Sequence, residues 1–299
     1  MEQITRSDTA GAKINLFLSI GARRADGYHE IDTVMQSLPF GDAVSLRFEA
    51  PRSGEQTVLF TTNRLFGEAE KNLGVIAVRA YCRAAGISAY RAILQIEKRI
   101  PAGAGFGGGS ADAAAVLRLC KAQLGALSER AMHLLCTSIG ADVPFCYAGG
   151  CFRARGIGEK LEKLPPLAPC HVLLAIGKES APTAWAYSLA DRLPPQAQPG
   201  AEKILSALHS GALPKICDAM YNRFEAAVLP ARPQALALRK ALLCGGADGA
   251  MLSGSGAGVF GIFSPEKATA AEKTLAQLRQ TGYWAELCTV GSAERNQTK

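Results

Sequence analysis

Five glycines fall between residues 103 and 109, in the stretch Pro101-Ala-Gly-Ala-Gly-Phe-Gly-Gly-Gly-Ser110, and an alanine-rich run over 111–119 follows at once. A backbone this free of side chains can follow turns closed to other residues, and the run behind it is a strong helix former. Ser110 is a candidate N-cap, and Asp112 stands where the positive end of a helix favours negative charge. A glycine loop that opens directly onto a helix presents backbone N–H groups at that positive end, which is a seat for phosphate. An ordinary flexible linker would not join an amphipathic strand to a capped helix. The spacing Gly103-x-Gly105-x-x-Gly108 satisfies the dinucleotide fingerprint, but that motif follows a buried apolar strand directly. Here residues 95–100 alternate polar and apolar, and Pro101 intervenes. No Gly-Lys-Ser/Thr closes the loop, so it is not a Walker A loop either.

The length, 299 residues, suggests two domains with ample cores, and 48% hydrophobic with 20% charged residues is ordinary globular composition. No apolar run approaches a membrane span, and the first twenty residues lack a basic start, apolar centre and small-residue cleavage site. The expectation is a cytoplasmic protein with no membrane partner. Nine cysteines, odd in number and without a Cys-x-x-Cys pair, read as reduced, buried small hydrophobes. The four histidines show no metal-ligand spacing, so no protein-held metal is expected. A net charge of +7 suits either nucleic acid or a polyanionic small molecule. The basic residues are dispersed rather than gathered into a stripe with aromatics, which favours the small molecule and no nucleic acid.

Residues 1–8 read as a frayed end and 9–20 as a strand, with Ile14, Leu16, Leu18 and Ile20 on one face and Lys13, Asn15, Phe17 and Ser19 on the other. Lys13 and Asn15 thus project together, about 7 Å apart along the strand, and Phe17 beside them argues that this face is covered. Asp26-Gly27 signals a turn, with Tyr28 and His29 behind it. Strands are expected over 44–48, 57–61, 93–100, 149–155, 171–176, 248–252, 258–263 and 283–289. Helices are expected over 72–85, 110–124, 128–139, 182–191, 201–209, 233–243 and 266–279, with a proline-rich connector at 194–200. Gly140 is read as a left-handed cap, with Pro144 barring the helix from resuming, so that Asp142 sits on a short turn among Val143, Pro144 and Phe145.

The pattern Pro101-x-x-x-Gly105-Phe-Gly-Gly-Gly-Ser110 resembles the ATP loop of the GHMP small-molecule kinases, with Phe106 where these usually have leucine. Lys13-x-Asn15 followed by Arg24-x-Asp-Gly-Tyr-His29 is similar to the signature of one branch of that family, which acts in the non-mevalonate route to isoprenoid precursors. Gly140-Ala-Asp-Val-Pro144 matches a third marker, and Met251-Leu-Ser-Gly-Ser-Gly-Ala-Gly-Val-Phe260 the family's C-terminal glycine motif.

The resemblance implies an α+β, two-domain GHMP kinase fold. It has a half like the second domain of ribosomal protein S5 over 1–152 and a ferredoxin-like half over 153–299. It implies ATP-dependent phosphorylation of the 2-hydroxyl of a cytidine diphosphate-linked methylerythritol, with Mg²⁺ carried by the nucleotide, in a monomer or weak homodimer. Asp142 would be the general base and Lys13 its charge partner. ATP would lie along Pro101, Ala102, Gly103, Ala104, Gly105, Phe106, Gly107, Gly108, Gly109, Ser110 and Ala111, with Asn72, Leu73 and Lys98 on the adenine side. The Ser110 hydroxyl would serve a phosphate oxygen or Mg²⁺. Tyr28 would stack on the cytosine, His29 would read its edge, and Asn15, Thr183, Tyr187, Gly254 and Ser255 would complete the acceptor pocket.

Two positions depart from the family pattern. Ala111 stands where a second serine is usual, and Arg223 where an acidic residue is. The alternatives are another GHMP kinase, which has no use for the Asp-Gly-Tyr-His segment, a non-catalytic ATP-binding regulator, which would be expected to have lost Lys13 or Asp142, and an RNA-binding protein.

Overall fold

The computed structural model describes residues 4–64, 67–194 and 197–291. Its strands are β1 (Arg6–Arg23), β2 (His29–Glu49), β3 (Gln56–Thr62), β4 (Tyr90–Glu97), β5 (Cys151–Gly156), β6 (Lys160–Lys163), β7 (Cys170–Ile176), β8 (Tyr221–Asn222), β9 (Gly249–Leu252), β10 (Val259–Phe263) and β11 (Trp284–Val290). Its helices are α1 (Leu73–Ala84), α2 (Gly108–Leu124), α3 (Glu129–Ile139), α4 (Val143–Ala148), α5 (Thr183–Ala190), α6 (Glu202–Ser210), α7 (Leu213–Ala219), α8 (Glu225–Ala231), α9 (Pro233–Cys244) and α10 (Ala268–Gln280). No helix among the described residues is long and apolar enough to cross a membrane.

The chain forms two compact units, neither continuous in sequence. Among the described residues, the first takes 4–12, Phe40–Ala102 and Gly107–Gly149, and the second takes Lys13–Pro39, Gly103–Phe106 and 150–291. In the first unit the C-terminal half of β2 pairs antiparallel with β4, Val44 opposite Ile96, and β3 lies parallel to β4. Leu46, Leu94 and Ile96 face α1 and α2, which pack closely together. The alanine run is what allows that approach. Ala111, Ala113, Ala114 and Ala115 are all buried against Val75, Val78 and Tyr81 in one core. The Tyr81 hydroxyl donates to the Gly125 carbonyl, so the buried ring keeps a hydrogen bond.

In the second unit the N-terminal half of β2 pairs antiparallel with β5, and β5 with β6. A second sheet has the order β11-β7-β10-β9, all antiparallel. Its central strands β7 and β10 read as near-continuous apolar runs because α9 and α10 pack on the sheet. A short parallel pairing sets Phe17 and Leu18 of β1 opposite Tyr221 and Asn222 of β8.

Several local expectations are corrected. Arg6–Asp8 are strand rather than frayed end, because Asp8 accepts a hydrogen bond from Arg118 Nε at 2.6 Å. Strand β2 runs unbroken through Pro39 and Gly41, and the missing Cβ at Gly41 is what lets it pass Ala10, whose carbonyl oxygen would lie 2.1 Å from one. Gly140 is extended, with φ 177°, and Pro144 starts α4 at its first turn instead of barring it. Helices α7 and α8 went unforeseen because each contains a proline, Pro214 in the first turn of one and Pro230 inside the other. Part of the 194–200 connector lies outside the described residues.

Since Ala114 is fully buried between packed helices, Ala114→Leu is expected to destabilise the protein by about 1–3 kcal/mol through overpacking. Urea unfolding checks this, and an unchanged midpoint would contradict the close packing of α1 on α2.

Candidate active site

Helix α2 begins earlier than its alanines suggest. Its N-cap is Gly107, at φ 75°, and Ser110 lies inside the first turn rather than at the cap. A glycine offers no capping side chain, and the first turn holds no acidic residue. The first-turn N–H groups are therefore open to solvent or to an anion. Ala111 is buried in the core, so it presents no polar group to that end. Near it, Asn72 caps α1, its side chain accepting from Gly74 N at 2.9 Å. Leu73 follows, its Cδ1 3.5 Å from where a Cβ on Gly109 would sit.

Lys98, expected on the adenine side, has its ammonium hydrogen-bonded to two carboxylates. It donates to Asp42 and, at 2.6 Å, to Asp112 Oδ2. Its side chain is 9% exposed, and those of Asp42 and Asp112 are 0% and 3% exposed. Burial pushes the Asp112 carboxyl up to about 7, with Lys98 opposing and Asp42 reinforcing the shift. Asp112 is thus not a surface charge at a helix start. Asp142 holds the position before α4, half-buried and next to the buried Val143, Pro144 and Phe145. Its carbonyl accepts from Cys146 N at 3.0 Å, the first bond of that helix.

In the second unit, Gly103–Phe106 meets the other glycine turn. Gly258 N donates to Ala104 O at 3.0 Å, and Ser253 Oγ to Gly105 O at 3.0 Å. A Cβ on Gly105, at φ 79°, would lie 1.9 Å from Ser253 O, and one on Gly256 2.3 Å from Gly105 N. Asn222 braces this turn, its Nδ2 donating to the carbonyls of Leu252 and Gly254 at 2.9 Å each. Beside Gly254 lies Lys13, whose Nζ would be 3.1 Å from a Cβ there.

The two polar side chains read off β1 come together as expected of one strand face. Lys13 Nζ donates to Asn15 Oδ1 at 2.6 Å, Asn15 Nδ2 to Thr33 Oγ1 at 2.9 Å, and Thr33 Oγ1 to Phe17 O at 2.6 Å. All three side chains are buried, and Lys13 is held by a relay in which each side chain donates to the next. Its main chain is tied too, Lys13 N donating to Phe106 O at 3.0 Å.

An open cavity of about 560 Å³ is lined by Tyr28, His29, Thr183, Tyr187, Asp191 and Arg23, among others. The turn before it is fixed by Asp26, which accepts from Tyr28 N, and by Gly27 at φ 88°. Tyr28 remains 60% exposed. His29 stacks on Tyr187, with centroids 4.9 Å apart and planes at 15°, and Tyr187 meets Phe224 edge-on. Asp191 Oδ1 lies 2.8 Å from His29 Nε2, which leaves Nδ1 as the other polar atom of the ring. Ser255 Oγ donates to Thr183 Oγ1 at 3.2 Å.

Asp191 was not singled out from the sequence, although it lies four residues after Tyr187, on the same helix face. Asp42 and Thr33 were missed as well, since each acts through residues distant in sequence. Arg223 is buried, with its N–H on Leu18 O and Nη2 on Pro194 O at 3.2 Å.

The family models of the GHMP kinases match this chain, the N-terminal domain over residues 72–150 and the C-terminal over 204–283. It is 41% identical to a 4-diphosphocytidyl-2-C-methyl-D-erythritol kinase from Gloeobacter violaceus, over 85% of this chain and 84% of the relative. Among solved structures, a 4-(cytidine 5'-diphospho)-2C-methyl-D-erythritol kinase aligns with a TM-score of 0.78 and 31% identity, over 96% of this chain and 100% of that one. A homoserine kinase from Cytophaga hutchinsonii aligns at 0.72 with 21% identity, over 97% and 95% of the two chains, and shares the fold.

The raised Asp112 carboxyl carries a stability consequence. Its neutral form is favoured in the folded state, so this contribution is full below the ordinary value of 3.8 and is lost as pH rises to about 7. Over that window the stability of the protein is expected to fall with pH more steeply than that of Asp112→Asn. Parallel melting-temperature curves from pH 4 to 7.5 would contradict it.

Proposed function

The chain belongs to the 4-diphosphocytidyl-2-C-methyl-D-erythritol kinases, within the ATP-dependent GHMP small-molecule kinases, and on that premise we propose the reaction and the residues that perform it. The reaction is transfer of the γ-phosphoryl group of ATP to the 2-hydroxyl of 4-diphosphocytidyl-2-C-methyl-D-erythritol, a step of the non-mevalonate route to isoprenoid precursors. The enzyme works in the cytoplasm, as a monomer or weak homodimer. The nucleotide half corresponds to 1–152 and the other half to 153–299.

The observation that bears most on the acceptor is the lining of the open cavity. Tyr28, His29, Thr183 and Tyr187 surround it, and a stacked His–Tyr pair beside an exposed tyrosine suits a flat base. Tyr28 covers the cytosine. His29, oriented by Tyr187 and Asp191, meets its edge. Asn15, Gly254 and Ser255 border the rest of the acceptor.

ATP lies along residues 101–111 with its phosphates on the first-turn amides of α2, and Asn72 and Leu73 flank the adenine. Mg²⁺ carried with the nucleotide would supply compensation of phosphate charge, and the Ser110 hydroxyl would hold either it or a phosphate oxygen. Phosphoryl transfer asks the protein mainly for positioning and charge compensation. Asp142 takes the acceptor proton as the oxygen attacks. Lys13, held by the Asn15–Thr33 relay, offsets the negative charge of the transferring group.

Steady-state kinetics separate these roles. Asp142→Asn is expected to lower kcat by about 10²–10⁴-fold. Tyr28→Ala is expected to raise the acceptor KM roughly tenfold or more through lost stacking, with kcat nearly kept. Near-normal turnover of Asp142→Asn, or an unchanged acceptor KM in Tyr28→Ala, would overturn the corresponding role.

A further inference from the structure

Three buried charged side chains, Asp42, Lys98 and Asp112, have no part in the chemistry proposed above. We propose that they form a clamp on the two ends of the phosphate loop and act as positioning residues for ATP. The inference rests on the kinase reading.

The connectivity is specific. Asp42 Oδ1 accepts the backbone N–H groups of Arg99 and, at 2.8 Å, Ile100. These are the last amides before Pro101, which has none to give. Asp112 stands in α2, the helix that leaves the loop. The Lys98 ammonium joins Asp42 Oδ2 to Asp112 Oδ2, so one cation ties the entry of the loop to its exit. A Cβ on Gly108 would lie 3.5 Å from Lys98 Nζ and 3.1 Å from Ile100 Cγ2, so the first residue of α2 rests directly on this group.

Between the clamped ends the chain is held by bonds to its carbonyls from the facing glycine turn. Gly103, Gly105 and Gly107 all take positive φ, and glycines gain most freedom when released. Amides that are to meet phosphate oxygens need fixed end points, and a hydrogen-bonded ion triad supplies direction that an apolar contact would not. A buried triad is a poor source of stability, since desolvation offsets its attraction, so its value lies in geometry. Asp112 Oδ1 finds no hydrogen-bond partner among the described residues. Its other oxygen, on Lys98, is thus the one that bears the link.

The test is calorimetric binding of Mg·ATP and, separately, of cytidine 5'-diphosphate to the full chain. Asp112→Ala, which cuts the link, is expected to weaken ATP binding about tenfold or more, the effect of losing a charged hydrogen bond, and to leave cytidine diphosphate binding within about twofold. Asp112→Asn keeps an acceptor oxygen for Lys98 and is expected to restore ATP binding. Should Asp112→Ala not fold, Lys98→Met, which keeps an unbranched side chain of similar volume but removes the ammonium that joins the two carboxylates, is read in the same way. Unchanged ATP affinity in a folded variant, or equal weakening of both ligands, would overturn the clamp. Wild-type protein that binds ATP but phosphorylates no acceptor would instead overturn the kinase reading and leave the clamp to be judged by the same affinities.

Discussion

Two stretches of main chain, 103–106 and 253–258, lie closer together than any side chain would allow. A Cβ on Gly105 would fall 1.9 Å from a carbonyl oxygen, and those on Gly256 and Gly258 would fall 2.3 and 2.4 Å from backbone atoms. The glycines at these positions are therefore a condition of contact as well as of flexibility. The contact fixes other parts in turn. The loop carbonyl of Phe106 takes the amide of Lys13, Asn222 holds the facing turn, and Gly254 gives Lys13 its room. Backbone hydrogen bonds of this kind survive most substitutions outside the two glycine runs, because they ask nothing of side chains except absence.

Around the backbone contact the protein uses buried polar side chains sparingly and in connected sets. Lys13, Asn15 and Thr33 form one relay, and Asp42, Lys98 and Asp112 form another. In the first, each side chain donates to the next and the chain ends on a strand carbonyl, which holds a flexible lysine in one direction. In the second, two carboxylates compete for one cation, and burial leaves the Asp112 carboxyl near neutrality at about 7. The open cavity at Tyr28 contrasts with both, since its aromatic lining is partly exposed and held by stacking and by the hydrogen bond between His29 and Asp191.

The glycine loop, the alanine helix behind it and the two-residue period of β1 were all legible, because each depends on local backbone physics. Alternation on β1 placed Lys13, Asn15 and Phe17 on one face, and all three are buried in the structure. The Asp26-Gly27 turn followed from its own residue types. What escaped was long-range. Whether Gly41 breaks or continues a strand depends on Ala10 passing beside it, and Pro214 and Pro230 mark helices only once their neighbours are packed. The α2 cap moved from Ser110 to Gly107 because a left-handed glycine can start a helix as well as end a turn. The partners of Lys98 lie 56 and 14 residues away, and Asp191 lies 162 residues from His29. No periodicity or spacing rule reaches that far. A family resemblance supplied roles for residues in the motifs but not the groups that orient them.

The most direct test of the account is ADP release by the purified protein with Mg·ATP and two acceptors, 4-diphosphocytidyl-2-C-methyl-D-erythritol and 2-C-methyl-D-erythritol 4-phosphate, which lacks the cytidine. The account predicts turnover with the first alone, because the cavity at Tyr28 and His29 must be filled to place the hydroxyl. Comparable turnover with both, or none with either, would contradict it.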